Sequence, residues 1–205
     1  DFPALSFLHF FRNHGLLDLV DRPQWRTVVG GSRRYVARLV ADVSGAAHTA
    51  RAAVQVRRTA NGVQVRTEDG AEQAFDGVIM ACHADEALRL IEDPRPAETA
   101  ILSRFGYQEN RTILHSAAAL MPRQRRVWSS WNYLAATGAS GTERGSVSYW
   151  TNRLQGLAGD RQFFVSLNPL REPRPASVVA ELTYHHPVFD GEAMRAQGLL
   201  GQIQG

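Results

Sequence analysis

Apolar side chains at Leu5, Leu8, Phe11, Leu16 and Leu19 recur mostly three and four positions apart. That spacing predicts a helix within residues 3–20, ending between Gly15 and Val20. Phe7, Phe10 and Phe11 widen its apolar face, as suits core packing or the wall of an apolar substrate tunnel. Asp21-Arg22-Pro23 reads as a turn. After Gly30-Gly31-Ser32, helical spacing returns at Tyr35, Val36, Leu39, Val40 and Val43, with the glycines allowing close backbone approach and Ser32 as cap. The period then drops to two. Residues 52–58 alternate, Asn61-Gly62 is a two-residue hairpin signal, 62–68 return, Asp69-Gly70 turns again, and 72–75 complete a three-stranded meander.

The run Val78-Ile79-Met80-Ala81 is unbroken and apolar, the pattern of a parallel strand buried on both faces. A short helix carrying Ala87, Leu88 and Ile91 follows. Pro94 and Pro96 interrupt the chain before a second helix over 97–105. Beyond it, strands are predicted at 111–117, 127–133, 146–151, 163–167 and 178–184, with a turn-rich segment at 138–145 and a last helix over 190–203. The fold class is therefore α/β plus α+β. The division read from it is 1–25, a substrate-domain helix and leading loop; 26–92, part of a nucleotide-binding domain; and 93–205, the remainder of the substrate domain.

Composition narrows the function classes. With 205 residues, 44% hydrophobic and 21% charged, the chain has the profile of a globular protein. The net charge is +3, and all 23 basic residues are arginine. Arginine clusters at Arg33-Arg34, Arg57-Arg58 and Arg123, Arg125, Arg126 fit either arginine-favouring codon usage or a phosphate-binding surface. No nucleic-acid motif accompanies them, so no nucleic acid is expected as a partner. The single cysteine, Cys82, excludes an intrachain disulfide framework. No apolar run is long enough to span a bilayer and no signal peptide is evident, so a cytoplasmic location is expected, with peripheral membrane contact left open.

Few residues carry specific chemistry. Cys82-His83 and His185-His186 lack a second ligand pair at metal spacing, so no metal is expected and His185-His186 reads as structural. There is no G-x-S-x-G elbow for a serine hydrolase. Asn110, Arg111 and His115 share a predicted strand, and Gln24-Trp25 precede the Gly-Gly loop. Trp128, Trp131, Tyr133, Tyr149 and Trp150 alternate along strands, as core packing, an amine cage or an acyl tunnel would each require.

The order of Gly-Gly loop, helix, meander and buried strand, in QWRTVVGGSRRYVARLV, AAVQVRRTANGVQVRTEDG and FDGVIMACHADEAL, resembles the middle of flavoproteins of the amine-oxidase and carotenoid-desaturase superfamily. FFRNHGLL, VWSSWNY, YWTNRLQGL, QFFVSLNP and HHPVFD extend the resemblance to a bacterial group of predicted NAD/FAD-binding amine-oxidase-like oxidoreductases, often encoded near cyclopropane-fatty-acid synthases. The resemblance implies the central part of an FAD/NAD(P)-binding two-domain fold, with FAD as cofactor. It places Gly30 and Gly31 at the flavin cleft (helix capping being the alternative), the backbone of Ala53 and Val54 at the adenine, and Ala81 and Cys82 beside the cofactor. It also implies that Gln24 and Trp25 face the substrate cavity. Many relatives carry a lysine near flavin N5; this chain has no lysine, which leaves His115 or Arg111 as stand-ins, with Gln24 the remaining catalytic candidate.

The dinucleotide fingerprint G-x-G-x-x-G is absent from these residues, and the closing flavin segment is expected after Gly205. The chain is accordingly expected to be an internal fragment that alone binds FAD weakly or not at all. The implied reaction is hydride transfer from a substrate to flavin N5. The substrate is a hydrophobic or acyl-lipid molecule, with amine or polyene oxidation, or a non-catalytic lipid- or partner-binding module, as alternatives.

Overall fold

The computed structural model describes residues 3–137 and 143–204. The fold is mixed α/β with two antiparallel sheets, and the chain groups into two interleaved units. One comprises Asp1–Pro23, Val43–Tyr107 and Pro187–Gly205; the other comprises Gln24–Asp42 and Gln108–His186.

In the first unit, helix α1 (Ala4–Asn13) stops where Gly15 takes φ +60°, a conformation glycine adopts without steric cost. Strands β1 (Ala53–Thr59), β2 (Gly62–Thr67) and β3 (Glu72–Phe75) form the predicted meander in that order. The first hairpin is offset by one residue from the sequence reading. Thr59 pairs with Gly62, so Ala60 and Asn61 make the loop. Gly62 begins the return strand, as read from the sequence, at φ +142° and packed so closely that a Cβ there would lie 2.2 Å from the Phe75 carbonyl oxygen. In the second turn Asp69 Oδ1 accepts from Ala71 N and Thr67 Oγ1, and these bonds hold its carboxyl below the usual range.

Helices α3 (Ala84–Leu90) and α4 (Pro96–Leu102) follow. Each has a glutamate three residues into the helix reaching back to the capping backbone N–H, Glu86 to His83 and Glu98 to Arg95. Glu98 is buried and also accepts from Arg58 of β1, tying α4 to the meander.

The run 78–81 differs from its predicted strand. It is irregular, no ladder forms on it among the described residues, and Ile79 is 93% exposed. An apolar run becomes a strand only where a neighbour supplies ladder hydrogen bonds. The predicted last helix divides into α6, Gly191–Gln197, capped by Asp190 Oδ1 accepting from Ala193 N, and a 3-10 turn over Leu200–Ile203.

The second unit holds α2 (Arg33–Asp42) and a five-stranded sheet. Its strands are β4 (Tyr107–His115), β5 (Trp131–Thr137), β6 (Glu143–Trp150), β7 (Phe164–Leu167) and β8 (Val178–Pro187), in the order β5-β6-β7-β4-β8. A short helix α5 (Thr151–Gln155) follows β6 and ends on Gly156 at φ +62°. Of the predicted turn 138–145, residues 138–142 lie outside the described residues. No helix among the described residues is long and apolar enough to cross a membrane.

Candidate functional site

Alternation along β4–β7 sorts the side chains of the larger sheet onto two faces of different character. Register places Ile113, Ser166 and Ser148 opposite one another, with Asn132 beyond, and His115, Phe164 and Trp150 in the next row. This is the core face: Ile113, His115, Phe164 and Ser166 have no exposed surface. Trp128 packs edge-on to Trp150 and Phe164 at 5.4 and 5.5 Å, and its Nε1 donates to the Pro122 carbonyl.

His115 is fully bonded within this face. Nδ1 accepts from Ala117 N at 3.1 Å, so Nε2 carries the hydrogen and donates to Ser166 Oγ at 2.8 Å. Ser166 Oγ lies 2.6 Å from Ser148 Oγ. Burial pushes the imidazole's pKa below its ordinary value, so the ring is neutral. Arg111 is held in a fork by Glu172 (2.6 and 3.0 Å) and Glu181 (2.6 and 3.1 Å). Those bonds raise the guanidinium's pKa and lower both carboxylates'. Both side chains proposed to stand in for a lysine are thus engaged by partners within the unit.

The opposite face is half-buried over β7 and β4, with Thr112 buried, and opens towards β5, where its aromatic side chains are exposed. Trp131, Tyr149, Val165 and Leu114 form one row; Tyr133, Val147, Leu167 and Thr112 form the next. Tyr133 is 70% exposed and Trp131 49%. Trp25, 62% exposed, sits edge-on to Trp131 at 6.3 Å, which brings the segment before the Gly-Gly loop to this face. Gln24 is exposed beside it. The aromatic set read from the sequence therefore divides, Trp128 and Trp150 to the core face and Trp131, Tyr133 and Tyr149 to the open one. Alternation assigns each residue to a face but does not say which face is covered.

Gly30 and Gly31 follow, at φ +85° and +83°. Gly31 N donates to the Val28 carbonyl and Arg34 N to the Gly31 carbonyl, so the pair turns the chain directly into α2. A Cβ on Gly31 would meet nothing within 4 Å, whereas one on Gly30 would press on Arg34 at 3.2 Å. The surface over Gly31 thus has room for a flat ligand.

The other candidates belong to the first unit. β1 is an edge strand with a bulge between Ala53 and Gln55. Its outer edge bonds Glu92 N to the Val56 carbonyl at 3.0 Å. Val54 is the extra residue of that bulge, where the regular alternation of the ladder breaks. Ala81 and Cys82 are exposed before α3. Burial, reinforced by Glu86, pushes the Cys82 thiol's pKa up, so it stays protonated.

Comparison with known proteins adds three findings. No curated protein matches the chain. A solved structure of a CLA-producing fatty acid isomerase from P. acnes is similar at 12% identity with a TM-score of 0.48, over 82% of this chain and 44% of that one. This chain therefore spans less than half of that protein. The sequence profile of the flavin-containing amine oxidoreductases matches residues 2–160 of the 205, and the chain belongs to that family.

Proposed function

We propose that the protein is an FAD-dependent oxidoreductase acting on a hydrophobic or acyl-type substrate. The family match over residues 2–160 supports the flavin-dependent oxidoreductase, and the exposed Trp131 and Tyr133 of the larger sheet support the hydrophobic substrate. FAD, when bound, supplies the two-electron chemistry, accepting at N5 the hydride that leaves the substrate. The chain's own residues bind and orient. The backbone of Ala53 and Val54, at the bulge of the edge strand β1, holds the adenine edge. Gly30 and Gly31 let backbone approach the flavin where a side chain on Gly31 would intrude. Ala81 and Cys82 give small surface beside the cofactor, with the thiol protonated and chemically quiet. The open face of Trp131, Tyr133, Tyr149, Leu114 and Val165 offers the substrate an apolar bed and excludes water from it.

The test is the near-ultraviolet and visible absorption spectrum of the full-length protein. Flavin bands that bleach on reduction are expected. A folded, colourless protein that takes up no added FAD would remove the redox mechanism and leave a non-catalytic binding module.

A further inference from the structure

Three side chains of the second unit are joined head to tail in a sense that cannot be reversed. The Arg111 backbone N–H donates to Asn168 Oδ1 at 3.0 Å. That leaves Asn168 Nδ2 to donate to Asn110 Oδ1, at 2.6 Å. Asn110 Nδ2 then donates to the Gln108 carbonyl at 3.1 Å and to His186 Nδ1 at 3.0 Å. A backbone donor anchors one amide and a backbone acceptor the other, so flipping either sets donor against donor or acceptor against acceptor. His186 Nδ1 must accept, which in a neutral ring places the hydrogen on Nε2.

The backbone is strained where the relay begins. Asn168 sits at φ +47°, a left-handed conformation. It is held there by a further bond from its own N–H to the Arg111 carbonyl at 2.8 Å. Asparagine tolerates that conformation better than most residues, and its amide is the part the relay uses.

The far end of the relay is open. His186 is exposed, packs edge-on to Tyr184 at 6.2 Å, and its Nε2–H has no acceptor among the described residues. Asn110 shares its face of β4 with Thr112 and Leu114, two and four residues on, so it stands about 7 Å along the strand from the row of Thr112, Leu167, Val147 and Tyr133. A single oriented N–H donor therefore marks one end of the aromatic face.

We infer that His186 is a substrate-positioning residue whose Nε2–H donates to the head-group oxygen of an acyl-type substrate, with Asn110 and Asn168 setting its tautomer. This rests on the reading that the aromatic face meets the substrate, and it narrows the substrate's chemistry. A carboxylate or carbonyl oxygen accepts from Nε2–H. A protonated amine, itself a donor, would oppose it.

The experiment uses the full-length protein labelled with 15N-histidine, His186 being assigned from its loss in H186Q. The ring should show an unprotonated Nδ1 and a protonated Nε2. In N110D, nearly isosteric but offering an acceptor, the hydrogen should move to Nδ1. Decanoate, methyl decanoate and decylamine are then titrated. Decanoate is expected to shift the Nε2 signal and to lose about tenfold or more in affinity in H186A, the scale of a charge-assisted hydrogen bond, while H185A binds as wild type. Methyl decanoate separates carbonyl from carboxylate recognition, and decylamine should leave Nε2 unmoved.

A hydrogen on Nδ1 in the wild type, or equal decanoate affinity in H186A, would overturn the inference. The result is separable from the flavin question. Decanoate held by His186 in a flavin-free protein sinks the redox reading alone, and a flavoprotein indifferent to H186A sinks the anchor alone.

Discussion

Replacing Ser166 by alanine removes the acceptor that His115 Nε2–H uses at 2.8 Å and the partner of Ser148 Oγ at 2.6 Å, at a position with no exposed surface. Water cannot take over either role. A buried donor left unmade costs about 1–3 kcal/mol, and removing one hydroxyl oxygen leaves little void, so a loss of about 2 kcal/mol is expected. Amide hydrogen exchange on β4 and β7 reads this locally; Ile113 and Val165 should become less protected by that amount.

A pH arm tests the same ring. Burial holds its pKa below the ordinary 6.5. The unfolded chain therefore takes up a proton where the folded chain does not. The resulting stability is fully present above the unfolded pKa and is lost as pH falls toward the folded one. Between about pH 8 and pH 5.5 this group alone contributes a decline of up to about 1.4 kcal/mol, and His115→Gln should lack that component. Protection unchanged within about 0.5 kcal/mol in Ser166→Ala, or identical pH dependence in His115→Gln, would refute the argument.

Glu98→Ala strips a buried carboxylate from the Arg95 N–H and from Arg58. A loss of about 2 kcal/mol is expected by thermal unfolding, tempered because Arg58 reaches water, with Glu98→Gln milder. Gly62→Ala forces a methyl to 2.2 Å from the Phe75 carbonyl at φ +142°. It should cost about 2 kcal/mol or more and open the β2–β3 amides to exchange. Gly31→Asn, at φ +83° with open space above, should still fold, at a cost of about 1 kcal/mol of backbone strain, and should lower the flavin content of the purified full-length protein.

Local pattern read most of the elements because their causes are local. The meander, α2, α4 and four strands of the larger sheet follow from alternation, helical spacing and turn residues, whereas the strand expected at 127–133 begins only at Trp131, after a 3-10 turn over Arg125–Val127. Val78–Ala81 did not follow, since an apolar run says nothing about whether a ladder partner is at hand. The close approach of Gly62 to Phe75, thirteen residues on, lies outside any turn rule. Site residues were legible by type and not by face. His115 and Trp131 alternate on similar strands, yet one is sealed and the other open. His186 read as structural because its partners, Asn110 and Asn168, are remote in sequence and only strand order brings them together.

The larger sheet mixes polar groups into its hidden face. Beside the buried Ile113 and Phe164 it carries Ser146, Ser148, Ser166, Asn132 and His115, while the opposite face carries the exposed Trp131 and Tyr133. Apolar burial alone would favour fewer polar groups inside and fewer aromatic ones outside. The hidden polar groups are tolerable because each is bonded: Ser146 Oγ donates to the Leu167 carbonyl, and Asn132 Nδ2 to the carbonyls of Ser129 and Ser148. These bonds hold the strands in register with little net gain in stability, since each replaces one to water, while Ile113 and Phe164 supply the apolar burial. The aromatic face then stands out as surface whose driving force folding of this unit leaves unspent. An apolar ligand laid across it recovers that free energy at the moment of binding, and His186 at one end gives the ligand a direction. Mutating Trp131 or Tyr133 to serine should therefore weaken decanoate binding while leaving the exchange protection of Ile113 and Ser166 on the other face intact. Loss of both together would show the aromatic face to be core after all.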